Sequence, residues 1–140
     1  MKTDYCIFFQ LAKASQTGTK FLNTKIGDLN ITPVQAMIIG FLAEQDQIMA
    51  GELGKKVELD SATLTGILDR LESAQLIERK GNPDDRRSVK IHLTKQGRET
   101  GQKAQRLIEE ANREFLAPLA ENEAKVLRDL IAKLRGQGAR

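Results

Sequence analysis

The sequence predicts a mainly α-helical fold with one small β-hairpin, enclosed by helical flanks at both ends of the chain. Three observations predict it. Apolar residues recur at helical spacing near the N-terminus and again over the last third of the chain. Between these flanks Val89, Ile91 and Leu93 alternate with Lys90 and His92, as in a half-buried strand. The preceding segment, Gly81-Asn-Pro-Asp-Asp85, is dense in turn residues and follows a first strand through Leu76-Ile-Glu-Arg-Lys80.

Each element has its own local reason. Residues from about Asp4 to Gly27 read as a first helix, with Ile7, Phe8, Leu11, Phe21, Leu22 and Ile26 along one stripe. Its middle, Ser15 to Thr19, is poor in helix formers. Either the helix bends there or Gly18 admits another helix. So apolar a helix ahead of any compact core suits packing on a partner subunit. Thr32 caps a second helix, with Pro33 at its first position and Gln35 completing a capping box. Val34, Met37, Ile38, Phe41 and Leu42 give it a wide apolar face, so it is expected to be central. Met49 to Val57 reads as a short third helix with Leu53 and Val57 inward, and Gly54 as a place where the next helix crosses closely.

Asp60 caps a fourth helix, Ser61 to Ser73, with Leu64, Ile67, Leu68 and Leu71 inward. After the hairpin, Thr94 caps a long helix from about Lys95 to Leu116, which Pro118 ends. A last helix runs from about Glu121 to Leu134, with Leu127, Leu130, Ile131 and Leu134 in register. The tail Gly136 to Arg140 reads as frayed. The terminal amphipathic helices are best explained by a helical dimer interface. The expected division is 1–31 and 95–140 for a dimerisation region, and 32–94 for the compact middle.

Composition bounds the chemistry. A chain of 140 residues fits one domain, or one small domain with appended helices. Hydrophobic residues at 40% and charged residues at 29% are ordinary for a soluble globular protein. Aromatics at 4%, with no Trp, argue against stacking platforms for single-stranded nucleic acid. The apolar runs are too short to span a bilayer, and the N-terminus lacks a secretory signal pattern, so the expected location is cytoplasmic, with no membrane partner. Cys6 and His92 are each alone, which excludes an internal disulfide. A zinc site from these residues would need carboxylates or a second chain, so neither a metal nor a cofactor is expected. There is no motif of paired carboxylates, no Ser/His/Asp set and no phosphate-binding loop, so the chain does not read as an enzyme.

The charge is informative by its placement. The net charge is +3, yet residues 32–94 hold 8 basic and 10 acidic residues, leaving that stretch formally −2. Within it, Arg79 to Lys90 gathers five basic residues against two acidic ones. Any contact with nucleic acid must come from local placement.

The third and fourth helices are joined by a short turn through Glu58, Leu59 and Asp60, which is helix-turn-helix spacing. With the hairpin behind them they make a winged helix-turn-helix. Ser61, Ala62, Thr65, Gly66 and Asp69 line the outer face of the fourth helix, with Thr63 and Arg70 at its margins. No long side chain stands in its first two turns, which lets a helix enter a major groove about 12 Å wide. Arg70 is either an ion-pair partner of Asp69 or of the Glu72 neighbourhood, or a phosphate contact. Arg86 and Arg87 sit just past the hairpin tip, where a guanidinium reaches a minor groove. Asp85 is placed to orient Arg87 by a charge-assisted pair. Acidic balance in the core also leaves a second reading, a winged-helix module for protein–protein contact without specific DNA binding.

Residues Thr32 to Gly97 resemble the MarR family of winged helix-turn-helix regulators. The resemblance is carried by Ser61-x-Thr63-Leu-Thr65, Ile67-Leu-Asp-Arg70-Leu-Glu72, Leu76-Ile-Glu-Arg79, Asp85-x-Arg87 and Leu93-Thr94-x-x-Gly97. It implies a homodimer with two recognition helices in successive major grooves of a pseudo-palindromic double-stranded operator, half-sites about 34–36 Å apart. It also implies repression, released by a small-molecule effector or an oxidant, with an effector pocket between the dimer helices and the reading lobe. Leu59-Asp-Ser-x-Thr-Leu-Thr65 is similar to the organic-hydroperoxide-sensing branch, where Cys6 lies roughly at the place of the sensing cysteine. Cys6 is therefore a candidate redox sensor, against the ordinary reading of a free cysteine as a small buried hydrophobe. The departures are Gln10 and Lys20 where that branch has tyrosines, Gln75 where the recognition helix commonly ends in Gly, and Ala120 as an uncapped start to the last helix.

Overall fold

The structure, a computed structural model, describes residues 1–136, with the backbone but not the side chains of Asn82, Arg86 and Arg87. The rest of the expected frayed tail, Gln137 to Arg140, lies outside the described residues. The elements follow the order α1 (Ile7–Ile26), α2 (Pro33–Glu44), β1 (Ile48–Met49), α3 (Ala50–Val57), α4 (Ser61–Ser73), β2 (Ile77–Asn82), β3 (Asp85–Leu93), α5 (Lys95–Phe115) and α6 (Glu121–Leu134). A single 3₁₀ turn, Gly27–Leu29, links α1 to the start of α2.

Helix α1 runs unbroken through Ser15–Thr19. Of the two readings of that stretch, the close approach holds and the bend does not. A Cβ on Gly18 would lie 3.7 Å from the ring of Phe115, and Phe21 packs on the same ring with centroids 5.3 Å apart. Lys25 adds ion pairs to Glu110 at 3.0 Å and Glu114 at 2.9 Å on α5. Packing along one side thus overrides weak local propensity.

Helix α2 is central, and its expected capping box is present. Thr32 Oγ1 accepts from the Gln35 amide at 3.3 Å, and the Thr32 amide donates to Gln35 Oε1 at 3.1 Å. Its buried face differs from the apolar stripe read from the sequence. Ala36, Ile38, Ile39, Gly40 and Leu42 are buried, whereas Met37 and Phe41 each stay 37% exposed. The cause is the close crossing of α5, which is made on small residues. A Cβ on Gly101 would lie 2.8 Å from the Ile39 carbonyl oxygen. Gln105 Nε2 seals the crossing by donating to the Gly40 carbonyl at 2.8 Å.

The hairpin is larger than expected. Residues Ile48–Met49 form a strand that pairs antiparallel with β3, Ile48 opposite Ile91, and the sheet order is β1-β3-β2. The third helix therefore starts at Ala50, with Met49 at its N-cap. In the hairpin Ile77 faces Leu93 and Gly81 faces Val89, with a register shift between Gly81 and Asn82. The expected five-residue turn contracts to Pro83–Asp84 because both strands continue past it. The core joins Ile38, Leu42, Leu53, Leu71, Ile77 and Ile91, so α4 and the sheet share one apolar centre with α2.

The α3–α4 crossing is close, as Gly54 suggests: its Cβ would sit 3.4 Å from both the Leu59 carbonyl oxygen and Leu64. Helix α5 ends at Phe115, one residue before the expected position. Helix α6 buries none of its residues against the rest of the chain. Its start has half a capping box, with the Ala120 amide donating to Glu123 Oε1 at 2.8 Å. Among the described residues, no single helix is long and apolar enough to cross a membrane.

Candidate nucleic-acid interface

The N-terminus of α4 is fixed by Asp60. One carboxylate oxygen accepts from the Thr63 amide at 2.8 Å and the other from the Thr63 hydroxyl at 2.9 Å. These bonds, amide first, hold the Asp60 carboxyl below its ordinary range. On the other side of the helix Leu64, Ile67, Leu68 and Leu71 are buried, as read from the sequence. Ser61, Ala62, Thr63, Thr65 and Gly66 are all exposed. The Thr63 hydroxyl proton is committed to Asp60, so Ser61 and Thr65 carry the free hydroxyls of this face.

Asp69 is exposed too, but its carboxylate is engaged. Arg79, on β2, places Nη2 2.6 Å from Asp69 and 2.8 Å from Glu72. The Arg79 amide donates to the second Glu72 oxygen at 3.0 Å. The guanidinium first, then that amide, keeps the Glu72 carboxyl below the usual carboxylate range, and the two carboxylates raise Arg79 in return. Asp69 thus ties α4 to β2. The ion-pair reading of Arg70 falls away, because Asp69 and Glu72 both turn to Arg79; Arg70 is exposed and makes no ion pair among the described residues. The role of Arg79 was not read from the sequence. Its signal was two carboxylates three residues apart on one helix, followed by an Arg in the next strand.

The helix ends in a Schellman motif. The Leu76 amide donates to the Leu71 carbonyl at 3.0 Å and the Gln75 amide to the Glu72 carbonyl at 2.9 Å. Gln75 keeps the left-handed conformation, φ 62°, although it is not Gly. Directly behind it, Thr94 donates its hydroxyl to the Gln75 carbonyl at 2.7 Å and accepts from the Gly97 amide at 2.9 Å. A Cβ on Gly97 would lie 1.8 Å from the Leu76 carbonyl oxygen, so only Gly fits. The Leu-Thr-x-x-Gly pattern is therefore a joint between the end of α4 and the start of α5.

A second joint was not read from the sequence. Asp46, in the loop after α2, accepts from the Leu93 amide at 2.9 Å and the Gln47 amide at 2.8 Å. It pairs with Arg98 at 2.7 Å. Burial pushes this carboxyl up, but the two amides and Arg98 outweigh it and the net direction is down.

In the wing, Arg86 and Arg87 follow the Pro83–Asp84 turn at the start of β3. Their side chains, and with them the expected Asp85–Arg87 pairing, lie outside the described residues. Asp85 accepts from the Ser88 hydroxyl at 3.0 Å. His92 is half-buried and faces Glu78 across the strands.

Cys6 sits at the N-cap of α1, half-buried, and its side chain makes no capping hydrogen bond. Gln10, at one of the two tyrosine positions, donates instead to the Thr3 carbonyl at 2.9 Å. A groove of about 310 Å³ opens between α2 and α5, lined by Met37, Phe41, Gln105 and Ile108 among others. Met37, Ile108 and Asn112 also border a neighbouring cavity of about 250 Å³ that reaches Phe21 and Phe115. These are the seams of α2 and α1 with α5.

Comparison with known proteins agrees with this architecture. The MarR family profile matches residues 31–89. An organic hydroperoxide resistance transcriptional regulator of Bacillus subtilis is 37% identical over 97 residues, covering 69% of this chain and 66% of that protein. The uncharacterized HTH-type transcriptional regulator YsmB of the same organism is 31% identical over 120 residues, covering 86% of this chain and 80% of that one. The match covers 41% to 86% of the length of such curated relatives. The crystal structure of a mutant MarR from E. coli, complexed with operator DNA, superposes with a TM-score of 0.83 at 28% identity, covering 94% of this chain and 96% of that chain. With its winged helix-turn-helix and flanking helices, the chain belongs to the MarR family, whose members are transcriptional regulators rather than enzymes.

Proposed function

We propose that this chain is a DNA-binding transcriptional regulator: a cytoplasmic homodimeric repressor that leaves a pseudo-palindromic operator when a small molecule or an oxidant acts on it. The observation that carries this reading is the outer face of α4. Ser61, Ala62, Thr65 and Gly66 are exposed and short, and the helix is held at its start by Asp60 and near its end by Arg79. Such a face meets base edges in a major groove, with Thr63 and Arg70 at its margins. Asp69 positions the helix through Arg79. Asp85, Arg86 and Arg87 form the wing contact with the adjacent minor groove.

Residues 32–94 form the DNA-binding domain, and 1–31 with 95–140 the dimerisation region. Exposed apolar side chains on α1 and α6 support the dimer: Phe8 is 79% exposed and Leu134 72%. The E. coli relative's operator complex supports the DNA partner. The groove along α2 and α5 is the candidate effector site, and Cys6 the candidate site for oxidant.

The test begins with duplexes enriched from a random library by the full-length chain. A pseudo-palindrome with half-sites about 10–10.5 bp apart is expected. Thr65→Glu, at an exposed position, should retain folding and the oligomeric state and lose at least about tenfold in operator affinity. Unchanged affinity of the Thr65→Glu protein would sink the assignment of α4.

A further inference from the structure

We propose that Lys80 and Lys90 form a second phosphate-binding element on the wing, separate from its tip. This inference rests on the reading of the chain as a DNA binder. The two lysines stand directly opposite each other on β2 and β3. Both are exposed, and both lie on the sheet face opposite to buried Ile77, Ile91 and Leu93. Like charges directly opposite on neighbouring strands are destabilising, so this pair calls for a counter-charge. The described residues supply little. Lys80 reaches only Glu78, at 3.7 Å. Lys90 makes no ion pair among the described residues, and its other strand neighbour is Met49. The remaining described cation of the hairpin, Arg79, points to the opposite face and is consumed by Asp69 and Glu72.

The position of the pair suits a polyanion. Lys80 precedes Pro83 by three residues, about 10 Å along an extended strand. A minor groove is about 7.5 Å deep. A tip seated in that groove therefore brings the lysine row level with the phosphates along its border. The row adds affinity without sequence preference, because phosphates carry no base identity.

The experiment uses the full-length chain and two duplexes of equal length, one an operator enriched by the wild-type protein and one of arbitrary sequence. Affinity is followed by fluorescence anisotropy from low to high KCl. For Lys80→Gln/Lys90→Gln, the slope of log K against log salt should fall by about 1.8, from roughly 0.9 per phosphate contact. Affinity for the two duplexes should fall by the same factor, and the free protein should melt no lower than wild type. Lys80→Arg/Lys90→Arg should keep the wild-type slope. A wild-type slope in the Gln pair, on an operator the wild-type chain does bind, overturns the assignment. So does a reduced slope accompanied by a lower melting temperature. If the wild-type chain enriches no duplex, the DNA-binding reading itself falls before any lysine is changed, and this assignment with it.

Discussion

Gln75 holds a backbone conformation that costs an ordinary L-residue about 1–2 kcal/mol and glycine almost nothing. Its carbonyl receives the Thr94 hydroxyl, so the conformation is retained. Gln75→Gly should therefore raise the unfolding free energy by about 1 kcal/mol, after the greater chain entropy of glycine is subtracted. Urea denaturation of both proteins measures this directly, and a loss of stability would mean that the glutamine side chain contributes more than its backbone costs. At this scale the sequence was legible where a Thr or Asp caps a helix on the residue three places on. Thr32 with Gln35, Asp60 with Thr63 and Thr94 with Gly97 all close locally. It was opaque where a side chain acts across the fold. Nothing near Gly97 in sequence announces the Leu76 carbonyl, and nothing near Asp46 announces Arg98, 52 residues on.

Between elements, Asp46 fastens the loop after α2 to the end of β3 and the first turn of α5. Its carboxyl is lowered in the folded chain, so it contributes stability above its unfolded pKa of about 3.9. That contribution is lost as pH falls through the lower, folded value. Asp46→Asn should cost about 1–3 kcal/mol at pH 7, because Arg98 loses its partner and both amide bonds lose their charged acceptor. The difference from wild type should narrow below about pH 4. Parallel urea titrations at pH 7 and pH 3.5 check both halves, and a gap that stays constant would show that the charge is not involved. Element lengths were legible where a cap and periodicity coincide, as in α4. They were not legible where tertiary contact decides. Strand β1 is too short to alternate, and the weak middle of α1 is held by Phe115 from another helix.

For the molecule as a whole, the mainly helical fold with its small sheet was legible because the period changes from helical to alternating and back. At the terminal helices the sequence showed an excess of apolar surface, which supports the proposed dimer. On α6, Leu130 and Ile131 are 51% and 42% exposed. On the proposed homodimer, Leu130→Glu should shift the protein to monomer in sedimentation and weaken operator binding, because one reading helix would then act without its twin. A dimer that persists in this variant would exclude α6 from the interface.

The joint at Thr94 and Gly97 has a mechanical consequence. It leaves no slack between the end of α4 and the start of α5. Helix α5 has 21 residues, about 31 Å of rod. A tilt of only about 5° pivoted at one end swings the other by about 3 Å, close to the rise of one base pair, about 3.4 Å. If the chain reads DNA as proposed, a rotation small enough to be absorbed by side chains around Phe115 would become, at the far end of the rod, a step on the scale of the DNA ladder.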